Sequence, residues 1–314
     1  MKAGNCLHCL VREDDKMEVI RSLLVSNILD PLTHSDDELK EMYSRIAKQN
    51  RYKAIETRLI RNSEVMEVFN SIATGSCWDV TIWLTGDMSK ANLNISSFDD
   101  VLRKHSINET FKLIDLATKH HCNRVGVSSG VVEDVARIDE HVNIYAKSIM
   151  EIIEYIEHKE YNVDLIIEPL DQFAHKKNVM GNLNSCLYFI RVMQGHRWLD
   201  NGRLTLCWDS AHVALNEDEF KESIRILYKY ISRIHFADAV LDKNDEEYGD
   251  NHRMFDNKGF MNIETAREII SLFKKYETEN KRFFLACEVR TKKKEEAWSN
   301  EQQYYEFLDT VLGK

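Results

Sequence analysis

Four side chains that can bind a metal ion lie at the ends of short apolar runs in the second half of the chain. The runs and their ligands are Val-Asp-Leu-Ile-Ile-Glu168, Leu-Thr-Leu-Cys-Trp-Asp209, Ile-Ser-Arg-Ile-His235-Phe and Phe-Phe-Leu-Ala-Cys-Glu288. Runs of this kind are typical of strands buried on both faces. Three carboxylates and one imidazole suit Mn²⁺, Mg²⁺, Co²⁺ or Zn²⁺ better than copper. If the strands lie side by side, we expect the four residues to bind one divalent metal.

The elements that would position these ligands form an alternation of strands and helices along the whole chain. Apolar patterns predict earlier strands at 18–27, 52–60, 79–85 and 124–128. Helices are expected from Ser35, which forms a capping-box pattern with Glu38, and at 63–75, 108–121, about 142–156, 182–195, 217–230, 262–276 and 300–312. Residues 86–105 are polar and predict a loop with a helical turn.

Eight strand-helix units predict a single (β/α)8 TIM barrel over residues 18–314, with active residues at the carboxyl ends of the strands. Residues 1–17 are an N-terminal extension of unknown role. A doubly wound open sheet is the alternative, but it would need a glycine-rich phosphate turn after the first strand, and the sequence has none.

The amino-acid composition limits the kinds of molecule that the protein is expected to bind. The 314 residues carry a net charge of −10, with a sequence pI near 5.7 and acids spread throughout. This disfavours a nucleic-acid binder, which needs a basic surface. No apolar run approaches the ~20 residues of a membrane span, and the N-terminus does not resemble a signal peptide. We therefore expect a cytoplasmic protein without membrane or nucleic-acid partners.

The seven cysteines are scattered. Four of them lie in or beside apolar runs and are expected to be reduced core residues: Cys122, Cys186, Cys207 and Cys287. Cys6 and Cys9 have the spacing of a metal or redox site, but a lone pair of this kind is a weak signal.

The strand-end motifs Ile-Ile-Glu168-Pro, Trp-Asp209-Ser-Ala-His212, Ile-His235-Phe-Ala-Asp and Ala-Cys-Glu288 resemble those of the xylose isomerase-like TIM barrels. More narrowly, they resemble the sugar-phosphate isomerase and epimerase group that includes the ketose 3-epimerases. The resemblance implies that Glu168, Asp209, His235 and Glu288 bind one divalent metal and that the substrate is a small sugar or sugar phosphate. Barrels of this type often pair, which is compatible with a homo-oligomer, although no surface for it is identifiable.

The resemblance also implies a reaction. Isomerisation or epimerisation removes a proton next to a carbonyl and forms an enediolate, whose charge a metal ion stabilises as a Lewis acid. Glu168 and Glu288 are then the expected acid/base pair, because in the epimerases the two glutamates act on opposite faces of the sugar. His212 is expected to bind a sugar hydroxyl; the alternative is a loop histidine with a local hydrogen bond.

Three further substrate-binding residues are expected. Arg253 occupies the loop in which the epimerases carry a substrate-contacting arginine, and His252 lies beside it. Glu56 ends the second strand, where it would either bind sugar hydroxyls or form a structural ion pair. The chain departs from the epimerases at position 174, where Ala174 replaces a glutamate and His175 is adjacent.

Two rival functions use the same barrel. AP endonucleases carry Asp-x-His in this loop as ligands of further zinc, and Asp250 and His252 match that spacing. Their additional histidines at early strand ends are missing, so the multinuclear site looks incomplete. The rivals are thus a metal-dependent hydrolase or lyase of that branch, and a non-catalytic sugar-binding protein.

Overall fold

The computed structural model describes residues 17–256, 258–277 and 281–313, and within them eight parallel strands close into one barrel. The strands are β1 (Glu18–Leu24), β2 (Ala54–Thr57), β3 (Asp79–Trp83), β4 (Arg124–Val127), β5 (Asp164–Ile167), β6 (Leu204–Asp209), β7 (Ile231–Phe236) and β8 (Arg282–Cys287). Their order around the barrel follows the chain. The predicted single (β/α)8 TIM barrel is confirmed.

Helices connect successive strands and pack around the barrel. They are α1 (Val25–Ile28), α2 (Asp36–Gln49), α3 (Ser63–Gly75), α4 (Thr85–Lys90), α5 (Asp100–Thr118), α6 (Ile138–His158), α7 (Leu183–Met193), α8 (Arg197–Asp200), α9 (Ser210–Leu215), α10 (Phe220–Leu227), α11 (Ile263–Lys275) and α12 (Ala297–Leu312). In the described ranges no helix is long and apolar enough to cross a membrane.

The main core lies between the strands and this helical layer. Every residue of β6 is buried, as expected for a strand covered on both faces. Helix α6 shows the complementary pattern, because its apolar residues recur every three or four positions and form one buried stripe that includes Ile149, Ile153 and Ile156. Glu151 and Glu154 lie on its exposed side.

Barrel closure brings the two ends of the described chain together. β1 pairs with β8 in parallel, from Glu18 opposite Arg282 to Arg21 opposite Leu285. The Glu18 carboxylate also lies 2.7 Å from Nε of Arg282. The first strand is thereby held between the second strand and the last one, so the turn that follows β1 lies beside the loop that follows β8.

Several predicted element boundaries are wrong. Residues 86–105 are predicted to form a loop with a helical turn, and α4 supplies that turn at the beginning. The predicted end is wrong, since α5 already starts at Asp100, where the Asp99 side chain accepts hydrogen bonds from the N–H groups of Val101 and Leu102. At α2, Ser35 is the N-cap residue, but its side chain makes no capping hydrogen bond within the described residues. The Glu38 carboxylate contacts the Lys294 ammonium instead.

Four of the predicted cysteine environments can be compared with the structure, and the Cys6–Cys9 pair cannot. The four expected core cysteines are buried as free thiols, and burial raises the pKa of Cys122 to about 12, which keeps that thiol protonated. Of the predicted extension 1–17, only Met17 is described, and it is buried. Cys6 and Cys9 lie outside the described residues.

Candidate metal centre

The barrel brings the four predicted ligands together at the carboxyl ends of β5 to β8. Glu168 follows β5, Asp209 ends β6, His235 lies opposite Asp209 in β7, and Glu288 follows β8. All four are buried, and one ligand atom from each lies within 4.8 Å of the others. Parallel pairing in close register is what places the ends of neighbouring strands side by side.

His235 lies at the centre of the group. Its Nδ1 is 3.0 Å from Oε1 of Glu168 and 2.8 Å from Oε2 of Glu288, while its Nε2 is 2.9 Å from Oε2 of Glu56. Burial by itself lowers the pKa of His235, but its contacts with Cys207, Glu56 and Glu168 raise that pKa well above the ordinary value.

Of the two carboxylate oxygens of Asp209, one accepts a hydrogen bond and the other has no partner among the described residues. Oδ1 accepts a hydrogen bond of 2.9 Å from the N–H of His212 at the start of α9. Oδ2 is buried and has no hydrogen-bond partner within the described part of the chain. Burial raises the pKa of Asp209 to about 7, and Glu288 and Glu168 add to that increase while His212 opposes it.

Glu288 is held from two sides. Asn27 Nδ2 donates a hydrogen bond of 2.9 Å to Oε1, and His252 Nδ1 lies 3.2 Å from the same oxygen. Oε2 is close to His235, but it has no hydrogen bond of acceptable geometry to any described residue. Burial raises the pKa of Glu288, but the neighbouring His252 and His235 lower it by more. The pKa is therefore about 2, and the carboxylate stays ionised.

These features fit a divalent cation. Buried carboxylate oxygens without hydrogen bonds are costly unless they coordinate a metal or pair with a charge. Asp209 and Glu288 each offer such an oxygen, and Glu168 and His235 add two more ligand atoms within the same short distances. The donor set of oxygens with one imidazole is the one expected for Mn²⁺, Mg²⁺, Co²⁺ or Zn²⁺.

Glu56 lies beneath the metal ligands, and its surroundings favour the second of its two predicted roles, a structural ion pair, over a contact with sugar hydroxyls. The side chain is completely buried and forms a close ion pair with the equally buried Arg233. Its Oε2 also accepts a hydrogen bond of 2.8 Å from Nε1 of Trp83. Burial raises the pKa of Glu56, but Arg233 and His235 lower it by more, so Glu56 is ionised. The alternative prediction, a structural ion pair, describes this arrangement.

His212 lies next to the ligands, as the sequence predicts, and it is also buried. Its Nδ1 accepts a hydrogen bond of 3.1 Å from the N–H of Asp171, and its Nε2 lies 4.0 Å from Oδ2 of Asp250. Burial lowers the pKa of His212, but Asp209 and Asp250 raise it by more. A hydroxyl-binding role for this imidazole stays a prediction.

The structure separates the neighbours His252 and Arg253. His252 contacts Glu288, as described, and its Nδ1 lies 3.3 Å from Oδ1 of Asp250. The Arg253 guanidinium donates to both oxygens of Asp256, at 3.0 and 2.8 Å. Within the described residues its ion pairs do not include the four ligands, so the expected substrate contact of Arg253 is not what this arrangement favours.

Sequence reasoning missed a lysine in the site. Lys176 Nζ lies 3.1 Å from Oδ2 of the buried Asp250, and although burial lowers its pKa, Asp250 raises it by more. His175, beside it, packs its ring against Gly249, so the loops after β5 and β7 meet above the ligands. The run Lys176-Lys177 reads as a solvated loop, and only the fold shows that one of the two lysines turns inward.

Comparison with known proteins agrees with the fold. The sequence model of a family described as xylose isomerase-like TIM barrel matches residues 47–306. The comparison with curated proteins yields no match. Among solved structures, L-ribulose 3-epimerase is 17% identical with a TM-score of 0.65, and the match covers 94% of this chain and 93% of that one. The expected likeness to ketose 3-epimerases is confirmed for the fold.

Two other solved structures have similar folds. The IolI protein with a bound zinc atom is 14% identical with a TM-score of 0.67, and the match covers 93% of this chain and 98% of that one. An AP endonuclease of family 2 from Brucella melitensis is 13% identical with a TM-score of 0.60, with 91% and 98% covered. At these identities the likeness concerns the fold alone.

Proposed function

The chain belongs to the xylose isomerase-like TIM barrel family, and from this premise we propose that it is a divalent-metal-dependent isomerase or epimerase of a sugar or sugar phosphate. The observation that carries the proposal is the convergence of Glu168, Asp209, His235 and Glu288 within 4.8 Å, with buried oxygens left free of hydrogen bonds. One cation, Mn²⁺, Mg²⁺, Co²⁺ or Zn²⁺, would be held by these four residues.

The residues of the chain have distinct tasks in this proposal. A bound divalent cation would supply Lewis acidity that stabilises negative charge on the sugar oxygens during proton transfer. Glu168 and Glu288 come from strands three positions apart, and each has an oxygen at the centre of the group. One would remove the proton next to the carbonyl and the other would return a proton on the opposite face.

Substrate recognition falls to groups around the ligands. His212 and Lys176 both lie close to Asp250, and His252 lies between Asp250 and Glu288. Their N–H donors are suited to sugar hydroxyls, and Lys176 adds a positive charge for a phosphate or carboxylate. A small, hydroxyl-rich substrate therefore suits the site better than an apolar one.

The loop after β7 carries Asp250 and His252, which favour a second candidate function that would use a second cation. His252 Nδ1 lies 3.3 Å from Oδ1 of Asp250 and 3.2 Å from Oε1 of Glu288, so an imidazole there has a carboxylate on either side. A second cation there would suit a hydrolase of the AP-endonuclease-like branch. Against it, Lys176 already pairs with Asp250, and an ammonium group repels a cation.

Metal stoichiometry and proton exchange together test the proposal. We expect elemental analysis to find one divalent metal per chain, and we expect a panel of ketoses and aldoses in ²H₂O to include a sugar that gains deuterium next to its carbonyl. Two metals per chain with hydrolysis of a phosphodiester would favour the second candidate. Sugar binding without deuterium uptake would favour a non-catalytic sugar-binding protein and contradict both enzyme proposals.

The partners follow from the same reasoning. We propose a small-molecule sugar or sugar phosphate as the only ligand besides the metal, with no nucleic acid and no membrane, in agreement with the net charge of −10. A cytoplasmic location and assembly into a homo-oligomer complete the proposal, and size-exclusion chromatography with light scattering tests the latter.

A further inference from the structure

A buried chain of charges runs beneath the metal centre. Arg233 and His235 are two residues apart in β7, so their side chains point to the same face of the strand, toward the barrel interior. Glu56 reaches both of them from β2: Oε1 pairs closely with the Arg233 guanidinium, and Oε2 lies 2.9 Å from Nε2 of His235. All three side chains are at most 1% exposed.

The charge of Glu56 follows from that of Arg233. A guanidinium is always protonated in proteins, and burying it without a counter-ion is strongly unfavourable. Glu56 is its close partner, and Asp79 is more distant, at 3.7 Å. Among the described residues its other contacts are the neutral hydroxyls of Ser22 and Thr81 and the ring of Phe284. Glu56 must therefore be an anion.

An anionic Glu56 determines which nitrogen of His235 carries the proton. An ionised carboxylate can only accept hydrogen bonds, so the contact at 2.9 Å requires an N–H at Nε2 of His235. Nδ1 faces Glu168 and Glu288, and without a metal it also carries a proton that a carboxylate accepts. A cation bound among these carboxylates would displace that proton and take the lone pair of Nδ1, which leaves the ring proton on Nε2. Trp83 Nε1 donates to the same oxygen of Glu56 and so fixes the carboxylate in its orientation.

We propose that Glu56 is a positioning residue for the metal centre: it holds His235 as the Nε2–H tautomer and presents Nδ1 to a divalent cation, while Arg233 keeps Glu56 ionised. The inference rests on the metal site of the proposed function, but it does not depend on the sugar chemistry. Partners of this kind, on the far nitrogen of a ligating histidine, commonly change metal affinity when they are removed.

A simpler role for Glu56 would be to neutralise Arg233 and nothing more. The two roles differ in one respect that can be measured. If Glu56 only balances charge, then replacing Glu56 and Arg233 together by neutral side chains restores the site. If Glu56 also selects the tautomer of His235, the double replacement leaves metal binding impaired.

The experiment measures Zn²⁺ affinity by competition with a chromogenic chelator, in the full chain and three variants. Glu56→Gln and the double variant Glu56→Leu/Arg233→Met, which has no acceptor for the His235 N–H, are each expected to bind Zn²⁺ more weakly by roughly 10- to 100-fold. Thr81→Val is the matched control, because it is nearly isosteric and removes a hydrogen bond to Arg233, while within the described residues the Thr81 hydroxyl makes no hydrogen bond to Glu56 or His235. It should bind Zn²⁺ like the wild type.

A second readout reports the tautomer directly. In the Zn²⁺-loaded wild type, ¹⁵N spectra of labelled histidines should show His235 protonated at Nε2 and metal-bound at Nδ1, and the two Glu56 variants should lose this signature. Wild-type Zn²⁺ affinity in the double variant would overturn the inference. Glu56→Gln leaves the buried charge of Arg233 without a counter-ion and so could prevent folding. In that case the Zn²⁺ affinity of the double variant, which lacks both charges, tests the inference.

The outcomes separate this inference from the proposed function. A wild type that binds Zn²⁺ but exchanges no proton with any sugar contradicts the proposed reaction, and the effect of Glu56→Gln on Zn²⁺ affinity still decides the inference. A Glu56→Gln variant with unchanged affinity contradicts the inference alone. A wild type that binds no divalent cation contradicts both.

Discussion

Asn27 donates a hydrogen bond of 2.9 Å to Oε1 of Glu288, although 261 residues separate the two along the chain. The contact exists because β1 pairs with β8, which places the turn after the first strand beside the loop after the last one. The N–H of Thr291 also donates to the Asn27 carbonyl, at 3.3 Å. Asn27 thus orients a proposed ligand from the opposite end of the sequence.

Replacing Asn27 by leucine should slow proton exchange. The substitution removes a hydrogen bond to a charged acceptor, worth about 1.5–3 kcal/mol, and we expect the exchange rate to fall ~10- to 100-fold. Deuterium uptake by the sugar at saturating metal is the measurement. Thr291→Val, which removes the hydrogen bond that Asn300 of α12 donates to the Thr291 hydroxyl, is the control and should be close to wild type.

Glu168→Gln and Glu288→Gln should each abolish proton exchange while the fold survives, because an amide of the same shape neither removes nor returns a proton at the required rate. Both residues are also proposed ligands, so deuterium uptake is measured at a metal concentration that saturates each variant. Unfolding in urea reports the fold. Full activity in either variant would reject the acid/base assignment.

Lys176→Met should raise KM more than it lowers kcat. Lys176 pairs with the buried Asp250 at 3.1 Å and is the cationic group proposed to meet the substrate. Loss of a charged hydrogen bond predicts an increase in KM of ~10-fold or more, larger for a phosphorylated sugar than for a neutral one. Lys177→Met is the matched control: that neighbour is exposed, and its KM should not change. Equal effects in the two variants would contradict the assignment.

Gly249→Ala should destabilise the contact between the loops after β5 and β7. The backbone at Gly249 has a φ of +107°, and an added Cβ would lie 2.6 Å from the His175 ring. Such backbone strain costs on the order of 1–3 kcal/mol, to be measured as a lower free energy of unfolding in urea. Adding His175→Ala should recover the steric part only. Full recovery in the double variant would mean that the backbone conformation carries no strain.

His120 predicts a pH dependence of stability away from the metal centre. This buried imidazole accepts the N–H of Ile60 at Nε2, at 2.9 Å, and donates from Nδ1 to the Leu116 carbonyl, at 3.0 Å. Burial lowers its pKa below the ordinary 6.5. As the pH falls, the unfolded chain therefore takes up the proton first, so the stabilisation is complete above about pH 6.5 and is lost below it.

The matching variant is His120→Gln, which keeps an acceptor for Ile60 but has no proton to gain. The wild type should lose more unfolding free energy than this variant between about pH 7.5 and about pH 5.5. Parallel losses in the two proteins would show that His120 contributes nothing to the pH dependence.

The ligand positions could be predicted from the sequence because they depend on short-range rules. A buried parallel strand is a continuous apolar run, so the polar residue that ends such a run is visible in the sequence, as with Asp209 and Glu288. Barrel topology then places these ends together. Where local signals conflict with the fold, prediction failed: the polar start of α5 reads as a loop, although Asp99 caps it.

The partners of the ligands could not be predicted in this way. Asn27 and Glu288 meet through barrel closure, and Glu56 and Arg233 meet across the barrel interior, so no local spacing relates the members of either pair. A buried arginine in the run Ile-Ser-Arg233-Ile also contradicts the rule that charged residues are exposed. Arg233 can be buried there because the Glu56 carboxylate from β2 neutralises its charge.

Barrel closure has a consequence for how the protein is made. β1 obtains its second neighbour only when residues 282–285 have left the ribosome. Until then, the nascent chain presents two open sheet edges, and such edges readily add strands from other molecules. A translation product that stops short of β8 would therefore be prone to aggregate, even though it already contains seven strands and three of the four proposed ligands.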